Sequence, residues 1–289
     1  MKLGVSTYSF GKYQGTMNMS EIIKKAKEIG FNGIEFAGLG INGFEKELLI
    51  DTAKEYKDIC CKENMKIMSY TIGADFLNPK SGGSTKDEIK ALMDEIDIAK
   101  ALGADKMRHD ISSGIKENIK LLDFFKVLPI LADAAREVTI YGESQGIKTM
   151  FENHGYFMQN SERCEALIET VAHPNFGSLI DIGNFICADD NPIVAVKRLL
   201  PYAFHVHVKD FYVKPFYTLV NNERNWFNSS NGTHLAGSIL GKGDTNAKES
   251  IKLIVDSNYL GDLSLEFEGS EDNIQGITEG FAFMKEQIK

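Results

Sequence analysis

The chain has 289 residues, 43% hydrophobic and 25% charged, which suits a globular protein with a sizeable core: one large α/β barrel or two smaller domains. Its formal net charge of -9 gives no electrostatic reason to bind phosphate backbones or anionic membrane, so neither nucleic acid nor membrane is expected as a partner. No stretch approaches the roughly 18 apolar residues of a membrane span, MKLGVSTYSF holds too short an apolar run for a signal peptide, and Cys60, Cys61, Cys164 and Cys187 form no CxxC pair, so a cytoplasmic location with reduced thiols is expected.

Short β-branched runs alternate with longer amphipathic stretches. Leu3–Ser9 reads as a first strand, followed by a helix over Ser20–Gly30 with Ser20 as its cap. Gly33–Ala37 is a second strand, Phe44–Glu63 has helical spacing, and Met65–Thr71 returns to strand. Lys86–Leu102 is helical with Gly103 as its stop, and Ala104–Arg108 is a fourth strand. Ile115–Ser144 is a long helical region that Pro129 is expected to divide in two, with the proline near the start of the second helix. Four strands follow, Ile147–Glu152, Phe176–Asp181, Ala203–Lys209 and Asp262–Phe267. Helical segments 161–171, 191–200 and 246–257 separate them, and 271–287 closes the chain. Eight βα units imply a parallel sheet closed into a (β/α)8 TIM barrel, one domain over 1–289. A doubly wound open sheet is the alternative, weakened because no GxGxxG follows the first strand.

Phe211–Gly243 breaks the rhythm. It is a long insertion after the seventh strand, and it carries Phe211, Tyr212, Phe216, Tyr217, Trp226 and Phe227. Connections this long are functional or disordered, and the aromatic content argues for order. Two readings stand: a lid that brings Trp226 against substrate, or a contact between copies of the chain in a homo-oligomer.

The last four strands end in Glu152, Asp181, His207 and Glu266. Parallel strands of a barrel present these ends on one rim, where active sites of that architecture sit. Alternation puts His205, His207 and Lys209 on one face of the seventh strand and Phe204, Val206 and Val208 on the other. Ser264, Glu266 and Glu268 share a face of the eighth, and Met150, Glu152 and His154 align in the fifth. Any one of these carboxylates taken alone reads as a solvated cap. Inward charge in four consecutive strands is costly unless paired or metal-bound, and two Glu, one Asp and one His make an oxygen-rich divalent-metal site. His205, lying deeper, reads as an interior hydrogen-bonded histidine. Glu35 reads equally as a site residue or a rim ion pair, and only one of Arg108 and His109 can point inward.

The segments GVSTYSF, GFNGIEF, ALGADKMR, GIKTMFENHG, IDIGNF, HVHVKD, LGKGDTN and YLGDLSLEFEG span nearly the whole chain. In that order they resemble the sugar phosphate isomerase/epimerase group of the xylose-isomerase-like TIM barrels. The resemblance implies that Glu152, Asp181, His207 and Glu266 bind one divalent cation and that Glu152 and Glu266 are the acid/base pair. It also implies substrate contacts from His154 and Lys209. Many relatives carry a His three residues after the strand-six Asp; here that position is Asn184, which can bond a sugar hydroxyl but cannot carry a proton.

The expected function is isomerisation or epimerisation of a small sugar or sugar derivative by proton transfer through an enediolate, with one divalent cation, Mn²⁺ first and Co²⁺, Mg²⁺ or Zn²⁺ as alternatives. The runner-up is a dehydratase acting on a keto-inositol or similar polyol at the same site. A non-catalytic sugar-binding barrel is disfavoured by the complete ligand set, and an endonuclease IV-like nuclease by the acidic balance and the six histidines.

Overall fold

Each barrel strand after the first begins where a helix has just returned the chain to the bottom of the barrel, so all eight run the same way. The structure, a computed structural model, describes residues 1–41, 43–79, 82–114, 121–220 and 224–288. The barrel strands are β1 (Leu3–Ser6), β2 (Gly33–Ala37), β3 (Lys66–Ile72), β4 (Lys106–His109), β5 (Lys148–Glu152), β6 (Phe176–Asp181), β7 (Ala203–Val208) and β11 (Leu263–Leu265). They close in the order β1-β11-β7-β6-β5-β4-β3-β2, as a (β/α)8 TIM barrel. Between and around them lie α1 (Met19–Ile29), α2 (Lys46–Lys62), α3 (Thr85–Leu102), α4 (Leu121–Gln145), α5 (Ser161–Val171), α6 (Pro192–Leu199), α7 (Ala247–Val255) and α8 (Asn273–Gln287). No helix among the described residues is long and apolar enough to cross a membrane. The four cysteines are free.

The core forms between the outward strand faces and the inner helix faces. Ile34 and Phe36 of β2, Phe151 of β5, Ile180 of β6 and Val206 and Val208 of β7 are all fully buried there. Each such side chain contributes about 1.5–3 kcal/mol relative to exposure.

Three local expectations need correction. The first strand stops at Ser6, not Ser9, and the chain turns through a 3-10 segment over Thr7–Gly15. Ser6 accepts from the Tyr8 backbone, and Ser9 Oγ donates to Leu265 O at 3.2 Å and accepts from Phe267 N at 2.9 Å, which pins the turned chain to the opposite end of the sequence. The cap of α1 is Asn18, not Ser20: Asn18 and Glu21 bond each other's backbone reciprocally in a capping box. Pro129 does not divide α4. Proline removes the bond to the carbonyl four residues back, here Phe125. Phe125 is 55% exposed and Pro129 faces solvent, so the freed carbonyl can turn to water and the helix runs on. The expected helical start at 115–120 lies outside the described residues.

The aromatic insertion is a small antiparallel sheet. Its strands are β8 (Asp210–Lys214), β9 (Phe227–Asn228) and β10 (His234–Ser238), in the order β8-β10-β9. Phe211 and Leu235 are buried and pack with Cys187. Phe216, Tyr217 and Leu219 stand out to solvent.

Candidate metal centre and active site

The ladder sets the four expected ligands at similar height. Asp181 and His207 are register partners across β6 and β7, and Ser264 pairs with His207 on the other side. Glu152 ends β5, and Glu266 follows β11 directly, its N–H donating to Val208 O at 3.1 Å. Glu152, Asp181 and His207 are buried and Glu266 is nearly so, with one candidate ligand atom from each lying within 4.8 Å of the others.

His207 is the hub. Its Nδ1 lies 3.6 Å from Glu266 Oε2, 3.9 Å from Asp181 Oδ2 and 4.0 Å from Glu152 Oε1. His207 Nδ1 is buried without a hydrogen-bond partner, and Asp181 Oδ2, equally buried, is met by the Lys209 ammonium alone. A divalent cation at about 2.0–2.4 Å from each ligand would satisfy both atoms, and ligands sharing such an ion lie no more than about 4–5 Å apart. The donor set therefore fits one divalent cation.

Two cations of the protein pair with the carboxylates, Arg108 on the outer oxygen of Glu152 and Lys209 on the oxygens of Glu266 and Asp181 that approach His207. Lys209 Nζ sits 2.6 Å from Glu266 Oε2 and 3.1 Å from Asp181 Oδ2, and Arg108 Nη2 sits 2.8 Å from Glu152 Oε2. Asn184 donates from Nδ2 to Glu152 Oε1 at 2.9 Å, and its Oδ1 accepts from Lys209. Asp181 Oδ1 accepts from the N–H groups of Gly183 and Asn184. Gly183 has to be glycine: a Cβ there would stand 2.8 Å from the Lys209 carbonyl oxygen.

The electrostatics follow from this crowding. Burial pushes the Asp181 carboxyl up to about 7; Lys209 opposes the rise, and the neighbouring Glu152 and Glu266 add to it. Burial also works against charge on Glu266, but Lys209 and His207 outweigh it and hold that carboxyl well below its usual range. For His207 and Lys209 burial is overcome by Glu35, Glu266 and Asp181, which raise both pKa values well above the ordinary in the metal-free centre; an ion at His207 Nδ1 would displace the proton there.

A cavity of about 650 Å³ opens onto the group, and Glu152, His207, Lys209 and Glu266 reach it. His154 also lines it, half exposed, with Nδ1 3.3 Å from Asp110 Oδ1; that bond outweighs burial and raises its pKa. Asn184 is buried behind Glu152 and is not among the described lining residues. Nor is Trp226, whose ring carries Lys214 Nζ at 4.9 Å from its centroid. The structure thus groups Glu152, Asp181, His207, Glu266, Asn184 and Lys209, puts His154 on the wall, and leaves Trp226 apart.

The residues left open by the sequence are resolved. Arg108 is the inward one and also pairs with Asp110 at 2.7 Å, while His109 points outward between the rings of Phe76 and Phe176. Glu35 is buried inside the barrel against His205 and His207. His205 is interior, 2.8 Å from Ser264 Oγ. Asp110 and Tyr8 escape the sequence reading. Tyr8 lines the cavity, with its hydroxyl pKa raised by burial and by Glu268. Alternation along GVSTYSF could not have found it, because the strand ends before it.

The chain belongs to the xylose isomerase-like TIM barrel family, whose model matches residues 23–287. It is 25% identical over 140 residues to inosose dehydratase 1 of Bacillus cereus, covering 48% of this chain and 46% of that protein. The chain thus spans about half the length of the first curated relatives it matches. A longer match, 23% identical over 249 residues, is to inosose dehydratase of Clostridium perfringens, covering 83% and 78% of the two chains. Among solved structures, IOLI protein with a bound zinc atom superposes with a TM-score of 0.76 at 16% identity, covering 100% of this chain and 98% of that one. L-ribulose 3-epimerase superposes with a TM-score of 0.73 at 14% identity, covering 99% and 94%.

Proposed function

We propose that this xylose isomerase-like barrel is a divalent-metal-dependent isomerase or epimerase of a small sugar or sugar derivative. The observation that carries the reading is the paired environment of Glu152 and Glu266. Both approach one imidazole nitrogen, and each is paired with a protein cation: Arg108 on the Glu152 oxygen turned away from the imidazole, and Lys209 on the Glu266 oxygen turned toward it. Glu152, Asp181, His207 and Glu266 would hold the cation, Mn²⁺ or a similar ion. When bound, such an ion supplies positive charge to the oxygens of a carbonyl and its neighbouring hydroxyl and so acidifies the C–H between them.

The chain's own residues then move the proton. One of the two glutamates takes it from carbon, and the other returns it to the opposite face or to the neighbouring carbon. Asn184 and Arg108 fix the Glu152 carboxylate by one oxygen each, so it can turn little as its protonation changes. Lys209 holds one oxygen of Glu266 and also reaches Asp181 and Asn184, so its three donors tie the group together. His154 and Tyr8, on the cavity wall, are placed to bond further hydroxyls.

Dehydration of a keto-polyol is the second reading, favoured by the naming of the curated relatives as inosose dehydratases. It shares the C–H abstraction and differs in losing a hydroxyl. A panel of ketoses and inososes incubated in D₂O with metal-loaded protein decides between them. Deuterium uptake with recovery of a sugar isomer supports the first reading, and loss of water to a dehydrated ketone supports the second. Glu152→Gln and Glu266→Gln should each abolish uptake. Normal exchange in both variants would sink the two-carboxylate scheme.

A further inference from the structure

One buried carboxylate beside the metal-ligand group is not in it. Glu35 on β2 is fully buried and faces His207 from the side opposite the ligand carboxylates. Its Oε1 is 2.7 Å from His207 Nε2, whereas the other three carboxylates gather around Nδ1 at 3.6 to 4.0 Å. Its other oxygen accepts from Ser69 Oγ at 2.6 Å and lies 3.3 Å from His205 Nε2, which is in turn 2.8 Å from Ser264 Oγ. Glu35 is thereby fixed from β3 and β7, and His207 is fixed by Glu35.

A neutral imidazole carries its proton on one nitrogen and a lone pair on the other. A carboxylate bonded to one nitrogen keeps the proton there and leaves the other free as a ligand. We infer that Glu35 is a positioning residue of the metal centre: by accepting from His207 Nε2–H it locks the ring so that Nδ1 faces Glu152, Asp181 and Glu266. Ser69 and His205 hold the lock. The inference rests on the reading of those residues as metal ligands. Glu35, His205 and His207 also lie close enough together to hold an ion by themselves. That arrangement would take Nε2 from the hydrogen bond and bring a second ion, which the experiment counts.

The test uses Co²⁺ and the full chain freed of metal. Binding is measured by calorimetry, and proton NMR of the Co²⁺ complex in H₂O and D₂O finds any exchangeable imidazole N–H shifted by the ion. The wild type should bind one Co²⁺ and show one such resonance, absent from His207→Gln. Glu35→Leu, which removes the acceptor, should weaken binding by roughly 10–100-fold and lose the resonance to rapid solvent exchange. Glu35→Gln keeps an acceptor and should recover most of the affinity while its N–H exchanges faster. Ser69→Ala should speed exchange in the same direction and decides the matter if Glu35→Leu does not fold. Thermal midpoints of the metal-free variants report fold separately. Wild-type affinity and unchanged exchange in the Glu35 and Ser69 variants would overturn the inference and leave the metal centre standing. Two ions per chain, one dependent on Glu35, would overturn it by making Glu35 a ligand. No Co²⁺ binding by wild type would remove the metal reading and this inference together.

Discussion

Nη2 of Arg108 lies 2.8 Å from Oε2 of Glu152, one strand away in the barrel wall, and both side chains are nearly removed from solvent. The same nitrogen serves Asp110 at 2.7 Å, while Nη1 donates to the Ile72 carbonyl. Removing one partner from a buried ion pair leaves a bare charge, at a cost of about 3–5 kcal/mol. Arg108→Gln is therefore expected to lower stability by roughly that amount in urea denaturation. It should also slow deuterium exchange into substrate beyond any change in KM, because Glu152 loses its outer anchor. A variant of wild-type stability with normal exchange would show the pair to be incidental.

The four-ligand reading makes a stoichiometric prediction. Metal-free protein should take up one divalent ion per chain, and His207→Ala or Asp181→Ala should weaken uptake by at least roughly tenfold, since each removes a direct ligand. Inductively coupled plasma analysis and competition with a chelator measure both quantities. Full occupancy in the double variant would place the ion elsewhere.

His109 should make stability depend on pH. Burial lowers its pKa from 6.5 to about 4, and its Nε2 is buried without a partner. Between those values the unfolded chain binds a proton that the folded chain refuses, so stability falls as pH falls through this window. From pH 7 to pH 5 the loss attributable to this residue is about 2 kcal/mol. His109→Phe, whose ring suits the neighbouring Phe76 and Phe176, should remove that part of the slope. Urea midpoints at the two pH values give the comparison, and an unchanged slope refutes the assignment.

Trp226 is the single tryptophan, so its fluorescence reports the insertion alone. Because it does not line the cavity, saturating polyol inhibitor should leave its emission unchanged, and Trp226→Phe should leave KM within about twofold by the small effect expected away from a site. A ligand-dependent spectral shift would restore the lid.

The rim residues of β5, β6, β7 and β11 were legible because strict alternation, apolar outside and polar inside, shows which side chains enter a barrel. Glu35 was not, because the β2–β3 register shifts between Ile34 and Phe36, and such an irregularity decides which way a residue faces. Arg108 and His109 are both polar, so period two alone could not rank them; the aromatic neighbours of His109 are distant in sequence. Trp226 follows His207 along the chain, but antiparallel pairing of β8 with β10 carries it off, and a turn in a long connection leaves little trace in composition. Pro129 misled because the rule for proline says nothing about which helix face meets water.

The seam between β1 and β11 joins residues about 260 positions apart, Leu3 to Leu263 and Gly4 to Ser264, and it is reinforced where the Lys2 N–H meets Asp262. Bonds of that span carry a large loop-closure entropy cost. Glu266 lies directly beyond the seam. A chain stopped at residue 261 would carry Glu152, Asp181 and His207 but leave the edges of β1 and β7 open to foreign strands. On the proposed metal reading, an ion at the centre would favour the closed ring and draw the last unit into place. Chelation should accordingly loosen the first and last units of the chain together, as hydrogen exchange localised to residues 3–6 and 263–265 would show.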